Sequence, residues 1–93
     1  MFGLSTMELI ATEKFSKHLE KIAKKDKLTA KKIHEKIIKL QNNPHLGKPL
    51  TYDLTGKRSL RIDPYRIIYE IKENENKIIL LEIGHRKKVY SNR

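Results

Sequence analysis

The chain has 93 residues and 38% apolar content, enough for one small domain with a modest core. It contains no cysteine, which removes disulfides, thiolate nucleophiles and cysteine-bound zinc and fits a reducing cytoplasm. Twenty-one Lys and Arg against eleven Asp and Glu leave a net charge of +10. The acids do not keep pace with the bases, so the surplus points to an anionic, phosphate-bearing partner.

Met1 to Met7 is too short and too weakly basic for a secretory signal. Residues 1–6 are expected to form a flexible preface, with Met7 an alternative start, and no apolar run is long enough to cross a bilayer. Glu8 to Ala11 reads as a first strand. Thr12 is placed to cap a helix, with Glu13 in its first turn and Phe15, Leu19, Ile22 and Ala23 at helical spacing up to about Lys25. Asp26-Lys27 reads as the turn. A Thr29 cap flanked by Leu28 and Ile33 would open a second helix, with Ile33, Ile37 and Leu40 inward, ending near Asn42-Asn43-Pro44.

Pro44 to Gly56 is a loop by its proline, glycine and asparagine content. Ser59 to Ile62 and Tyr65 to Lys72 alternate as strands around Asp63-Pro64, with Tyr65, Ile67, Tyr69 and Ile71 on one face. Lys77 to Gly84 is the most apolar stretch and is expected to be a central strand covered on both faces. Short connections between the last strands imply an antiparallel meander. The expected class is α+β, in the order β-α-α-β-β-β: two N-terminal helices pack on one face of a small, mainly antiparallel sheet, leaving the other face open. Residues 1–93 form one domain, and 86–93 make a polar, basic tail.

The sequence lacks a glycine-rich phosphate loop, an HExxH and a GxSxG. Its four histidines have no metal-ligand spacing, so neither a metal nor a cofactor is expected. His18 and His34 lie among helix lysines and are expected to be solvated. Arginine in the strands is the distinctive signal. Arg61 has opposite parity to Leu60 and Ile62, and Arg66 alternates away from Tyr65, Ile67 and Tyr69. Both guanidinium groups therefore project from the open sheet face, where their forks match phosphate oxygens. The competing account is a set of cross-strand ion pairs, such as Arg66 with Glu70 or Glu82. Tyr90, among Arg86, Lys87 and Lys88, could stack on a base, act as a general base, or simply close the core edge. His85 is either a satisfied strand-end histidine or an acid–base group.

Two segments carry a family resemblance: Gly56-Lys57-Arg58-Ser59-Leu60-Arg61-Ile62-Asp63-Pro64-Tyr65-Arg66-Ile67-Ile68-Tyr69 and Ile83-Gly84-His85-Arg86-Lys87-Lys88-Val89-Tyr90. Together with the Leu46-Gly47-Lys48-Pro49-Leu50 loop, they resemble the RelE/ParE toxin superfamily, most closely its archaeal RelE-type members, over nearly the whole chain. The resemblance implies a RelE-like, microbial-ribonuclease-type fold. It also implies a toxin–antitoxin pair and a ribosome-dependent messenger-RNA endoribonuclease that cuts A-site codons by 2′-hydroxyl attack on the phosphodiester. By the same resemblance Arg61, Arg66, Arg86 and Tyr90, with His85 as a substitute base, are catalytic, and Lys57, Arg58, Lys87 and Lys88 bind RNA phosphate. The implied partners are a RelB-type antitoxin, in a heterotetramer of two toxins and two antitoxins, and the ribosome with its message. No membrane or cofactor is implied. The rival within the superfamily is a ParE-like, non-enzymatic inhibitor of DNA gyrase.

Overall fold

A computed structural model describes residues 7–87. The expected flexible preface (residues 1–6), and Lys88 and Tyr90 in the expected basic tail, lie outside the described residues.

The first strand, β1 (Glu8–Ala11), runs into Thr12, whose hydroxyl accepts a hydrogen bond from the Phe15 N–H and caps α1 (Glu13–Lys25). Helix α2 (Lys27–Asn42) follows with no intervening turn, because Asp26 serves both helices. Its backbone N–H donates to the Ile22 carbonyl at 2.8 Å, and its carboxylate accepts from the Thr29 N–H at 3.1 Å. The expected Thr29 cap is therefore corrected to Asp26: aspartate is the stronger N-cap, and Thr29 donates its hydroxyl to that carboxylate. Leu28 is 67% exposed, so it does not staple the helix.

These bonds hold the Asp26 carboxyl below its ordinary value, the Thr29 side chain contributing most. A depressed carboxylate stabilises the fold above its unfolded pKa and loses that contribution as pH falls through the folded value. Thr29→Val should raise the Asp26 pKa toward that of a free aspartate, which a carboxyl-carbon NMR titration would register. An unchanged pKa would assign the shift to the helix terminus instead.

Beyond α2 the loop is more structured than expected. Single 3₁₀ turns at Pro44–Leu46 and Tyr52–Leu54 bracket a two-residue strand, β2 (Lys48–Pro49). Then come β3 (Arg58–Ile62), β4 (Tyr65–Lys72), a 3₁₀ turn at Glu73–Glu75 and β5 (Lys77–His85). The sheet order is β1-β5-β4-β3-β2, with β1 parallel to β5 and the other neighbours antiparallel. The expected β-α-α-β-β-β order thus gains one short edge strand.

Phe15 and Ile22 of α1 and Ile33, Ile37 and Leu40 of α2 share one core cluster with Leu60, Ile62, Ile67, Tyr69, Ile78, Leu80 and Ile83 of the sheet. A bulge lets Ile78, Leu80 and Ile83 all face it. Ile68 pairs with Glu82 but Tyr69 pairs with Leu80, so Leu81 is the extra residue and the parity of β5 switches there. The expectation that β5 is covered on both faces is corrected: Ile79, Leu81 and Glu82 stay half-exposed, because both helices lie on one side. The edge of β5 beyond β1 is closed by α1, where the Thr12 hydroxyl donates to the Leu81 carbonyl and His18 Nδ1 lies 3.2 Å from the Ile83 carbonyl. His18 is therefore a half-buried edge cover and not a solvated residue, whereas His34 is exposed as expected.

Candidate phosphate-binding site

Strand register decides which cations meet. Arg61 of β3 stands directly opposite Arg66 of β4, and Arg66 stands opposite Gly84 of β5. With Leu60, Ile62 and Ile67 committed to the core, this row points to the helix-free face. The turn after β3 carries Asp63, which accepts from Arg61 Nε at 2.7 Å. The turn after β5 brings back Arg86, whose backbone N–H donates to the Pro64 carbonyl at 2.9 Å and whose Nη1 lies 3.8 Å from the same Asp63 oxygen. Arg61 foremost, then Arg86 and Arg66, hold the Asp63 carboxyl below its usual range. Three arginines, two on neighbouring strands and one on the turn after β5, thus converge on one small region.

A cleft of about 380 Å³ opens beside them, lined by Arg61, Arg66, Ser59, Lys48, Leu50 and, from α2, Lys36. Arg66 Nη1 reaches the buried Ser59 hydroxyl at 3.4 Å. Glu70 and Glu82, the acids weighed as its ion-pair partners, pair with Lys72 at 3.2 Å and Lys14 at 3.4 Å. The cleft wall is fixed by Tyr69, which is fully buried and whose hydroxyl accepts from the Gly47 N–H at 2.9 Å and donates to the Pro44 carbonyl at 2.7 Å.

The other expected site residues sit elsewhere. Arg58 shares the parity of Leu60, and its Nη2 donates to the carbonyls of Gly47 at 2.7 Å and His45 at 3.2 Å. It ties down the loop and, with Lys57, borders a different depression beside His45 and Glu73. His85 stands opposite Tyr65 and meets its ring edge-on at 6.3 Å, on the side away from Arg66. Its Nδ1 has a long contact of 3.4 Å from the Lys87 N–H. Lys87 is exposed on the turn after β5, and Tyr90 and Lys88 are outside the described residues. Sequence reasoning missed Lys36, Lys48, Ser59 and Asp63. Only Asp63 carried a signal, its place between two arginine-bearing strands.

Among the described residues no three His, Cys, Asp or Glu side chains come together as a metal site, and no helix is long and apolar enough to cross a membrane. The arrangement offers fixed cations to an anion at the mouth of an open cleft.

Toxin RelE of Mycobacterium tuberculosis is 42% identical over 52 residues, 55% of this chain and 54% of that protein, so the match spans about half the length of the relative. A chain named RelE4 from Methanocaldococcus jannaschii is 29% identical over 75 residues, 80% of each. The fold matches the crystallised toxin–antitoxin complex RelBE2 of Mycobacterium tuberculosis with a TM-score of 0.78 at 24% identity, covering 90% of this chain and 95% of that one. The family described as the ParE toxin of type II toxin–antitoxin systems matches residues 9–90. The chain belongs to that family and is a toxin of the RelE/ParE superfamily.

Proposed function

We propose that this toxin is a metal-independent endoribonuclease that cuts messenger RNA in the ribosomal A site. The observation that carries the reading is the convergence of Arg61, Arg66 and Arg86 around one anion position beside an open cleft. In the reaction the ribose 2′-oxygen attacks the adjacent phosphorus as its proton is removed. The bond from phosphorus to the 5′-oxygen breaks, and that oxygen takes up a proton, leaving a 2′,3′-cyclic phosphate and a 5′-hydroxyl. Negative charge grows on the nonbridging oxygens, where preorganised cations lower the barrier. Arg61 and Arg66 clamp the phosphate and Arg86 stabilises the developing charge. Tyr90 takes the 2′-hydroxyl proton; His85, packed against Tyr65 on the sheet face away from Arg66, does not stand in for it. Lys87 and Lys88 hold RNA backbone beside the site and Lys57 meets it farther along, while Arg58 stays committed to the loop carbonyls of Gly47 and His45. The lysine-rich helices meet ribosomal RNA through its phosphates. The partner is a cognate RelB-type antitoxin whose acidic segment folds over the site, two antitoxins joining two toxins in the cytoplasm.

The test is primer extension on a defined message in a reconstituted translation mixture, with wild type beside Arg66→Ala and Arg86→Ala. Ribosome-dependent cuts within A-site codons that vanish in both variants are the expected result. No cuts from folded, antitoxin-free protein would sink the reading. The second reading, a non-enzymatic inhibitor of DNA gyrase, is favoured by the ParE description of the matching family. It predicts loss of gyrase supercoiling in the presence of the toxin, with messages left intact.

A further inference from the structure

The arginine cluster contains a carboxylate for which the proposed cleavage has no use. Asp63 sits on the exposed turn between β3 and β4, and a single oxygen, Oδ1, faces both Arg61 Nε at 2.7 Å and Arg86 Nη1 at 3.8 Å. The first contact has the length of a strong charge-assisted bond, the kind a guanidinium makes with a phosphate oxygen. Arg61 and Arg66 stand opposite one another on neighbouring strands, an arrangement of like charges that is unfavourable without a counter-ion. The Asp63 side chain is 67% exposed, so packing does not hold it there and it is free to swing away.

We propose that Asp63 is a resident anion: in the free toxin its carboxylate occupies the position of a substrate phosphate oxygen between Arg61 and Arg86, keeps both guanidinium groups aimed at that position, and is displaced when a phosphate binds. The inference rests on the nuclease reading for the identity of the phosphate, but not for the anion site itself. Every phosphate that enters competes with a carboxylate already in place. Asp63 therefore lowers affinity for stray phosphates and reserves the site for a substrate held by further contacts. The depressed Asp63 carboxyl agrees with this, since the same three cations that would bind a phosphate hold the carboxylate ionised.

The experiment is a titration of free wild-type toxin, Asp63→Asn and Asp63→Ala with inorganic phosphate, followed by the arginine Nε–H resonances in NMR. Removing one charge from contact distance should tighten phosphate binding about five- to fiftyfold, within the range set by Coulomb energies between water-like and protein-like screening. The Arg61 Nε–H signal of each variant should move on adding phosphate toward its position in the phosphate-free wild type. Equal or weaker phosphate binding in both folded variants would overturn the proposal. If alanine disturbs the turn, asparagine keeps the acceptor oxygen and decides alone. Tighter phosphate binding with no cleavage by the wild type would remove the nuclease reading and keep the resident anion. Cleavage with unchanged phosphate affinity would do the reverse.

Discussion

Gly47→Ala should destabilise the toxin by about 2–4 kcal/mol, the sum of overpacking and of breaking buried hydrogen bonds. A Cβ at Gly47 would lie 2.6 Å from the Ser59 carbonyl oxygen, 2.7 Å from the Tyr69 hydroxyl oxygen and 2.9 Å from the Tyr69 ring. None of these neighbours gives way cheaply. The Ser59 oxygen belongs to the backbone of β3, and Tyr69 is fully buried with both hydroxyl bonds committed to the loop. At about 4–8 °C per kcal/mol for a chain of this size, the melting temperature should fall by roughly 10–25 °C in a thermal denaturation followed by circular dichroism. Gly56 is the contrast. There φ is +94° and a Cβ would meet nothing within 4 Å, so Gly56→Ala suffers only backbone strain, about 1–2 kcal/mol. If Gly47→Ala cost no more than Gly56→Ala, the loop would be free to relax and Tyr69 would not be its anchor.

Arg66→Ala should lower the single-turnover cleavage rate about 10²–10³-fold, the usual consequence of losing one donor to a transition-state oxygen. On the proposed reading, affinity for the ribosome should change far less, because the remaining surface cations would still be there to meet RNA phosphates. Arg66→Lys restores the charge without the planar fork, so it should recover only part of the rate. The pair of variants separates charge from geometry. A rate within about twofold of wild type in Arg66→Ala would remove Arg66 from the chemistry. A large loss of ribosome affinity at an unchanged bound-state rate would make it a docking residue.

Local rules carried much of the fold. Thr12 and the apolar spacing of Phe15, Leu19 and Ile22 are enough to place α1, and parity alone is enough to put Arg61 and Arg66 on one face. Parity would equally have separated Arg58 and His85 from them, since Arg58 shares a face with Leu60 and His85 stands opposite Tyr65. What local rules do not reach is long-range. The pairing of β1 with β5, the strand made by Lys48-Pro49 and the bulge at Leu81 depend on segments far apart in the chain. Lys36 looks like any other lysine of α2 until the loop at Leu46 to Leu50 folds against it. Asp26 shows how two local signals compete: Thr29 and Asp26 are both fit to cap, and the carboxylate wins because it accepts two bonds from one neighbour.

The parallel pairing of β1 with β5 also sets when a growing chain becomes dangerous. Helices close in sequence form early, but this sheet closes only when residues near the start meet residues near the end, a high-contact-order step. A nascent chain short of Lys77 has no partner for β1, and one short of Arg86 lacks the third arginine of the cluster. The order of synthesis thus delays assembly of the arginine cluster until nearly all of the described fold has emerged.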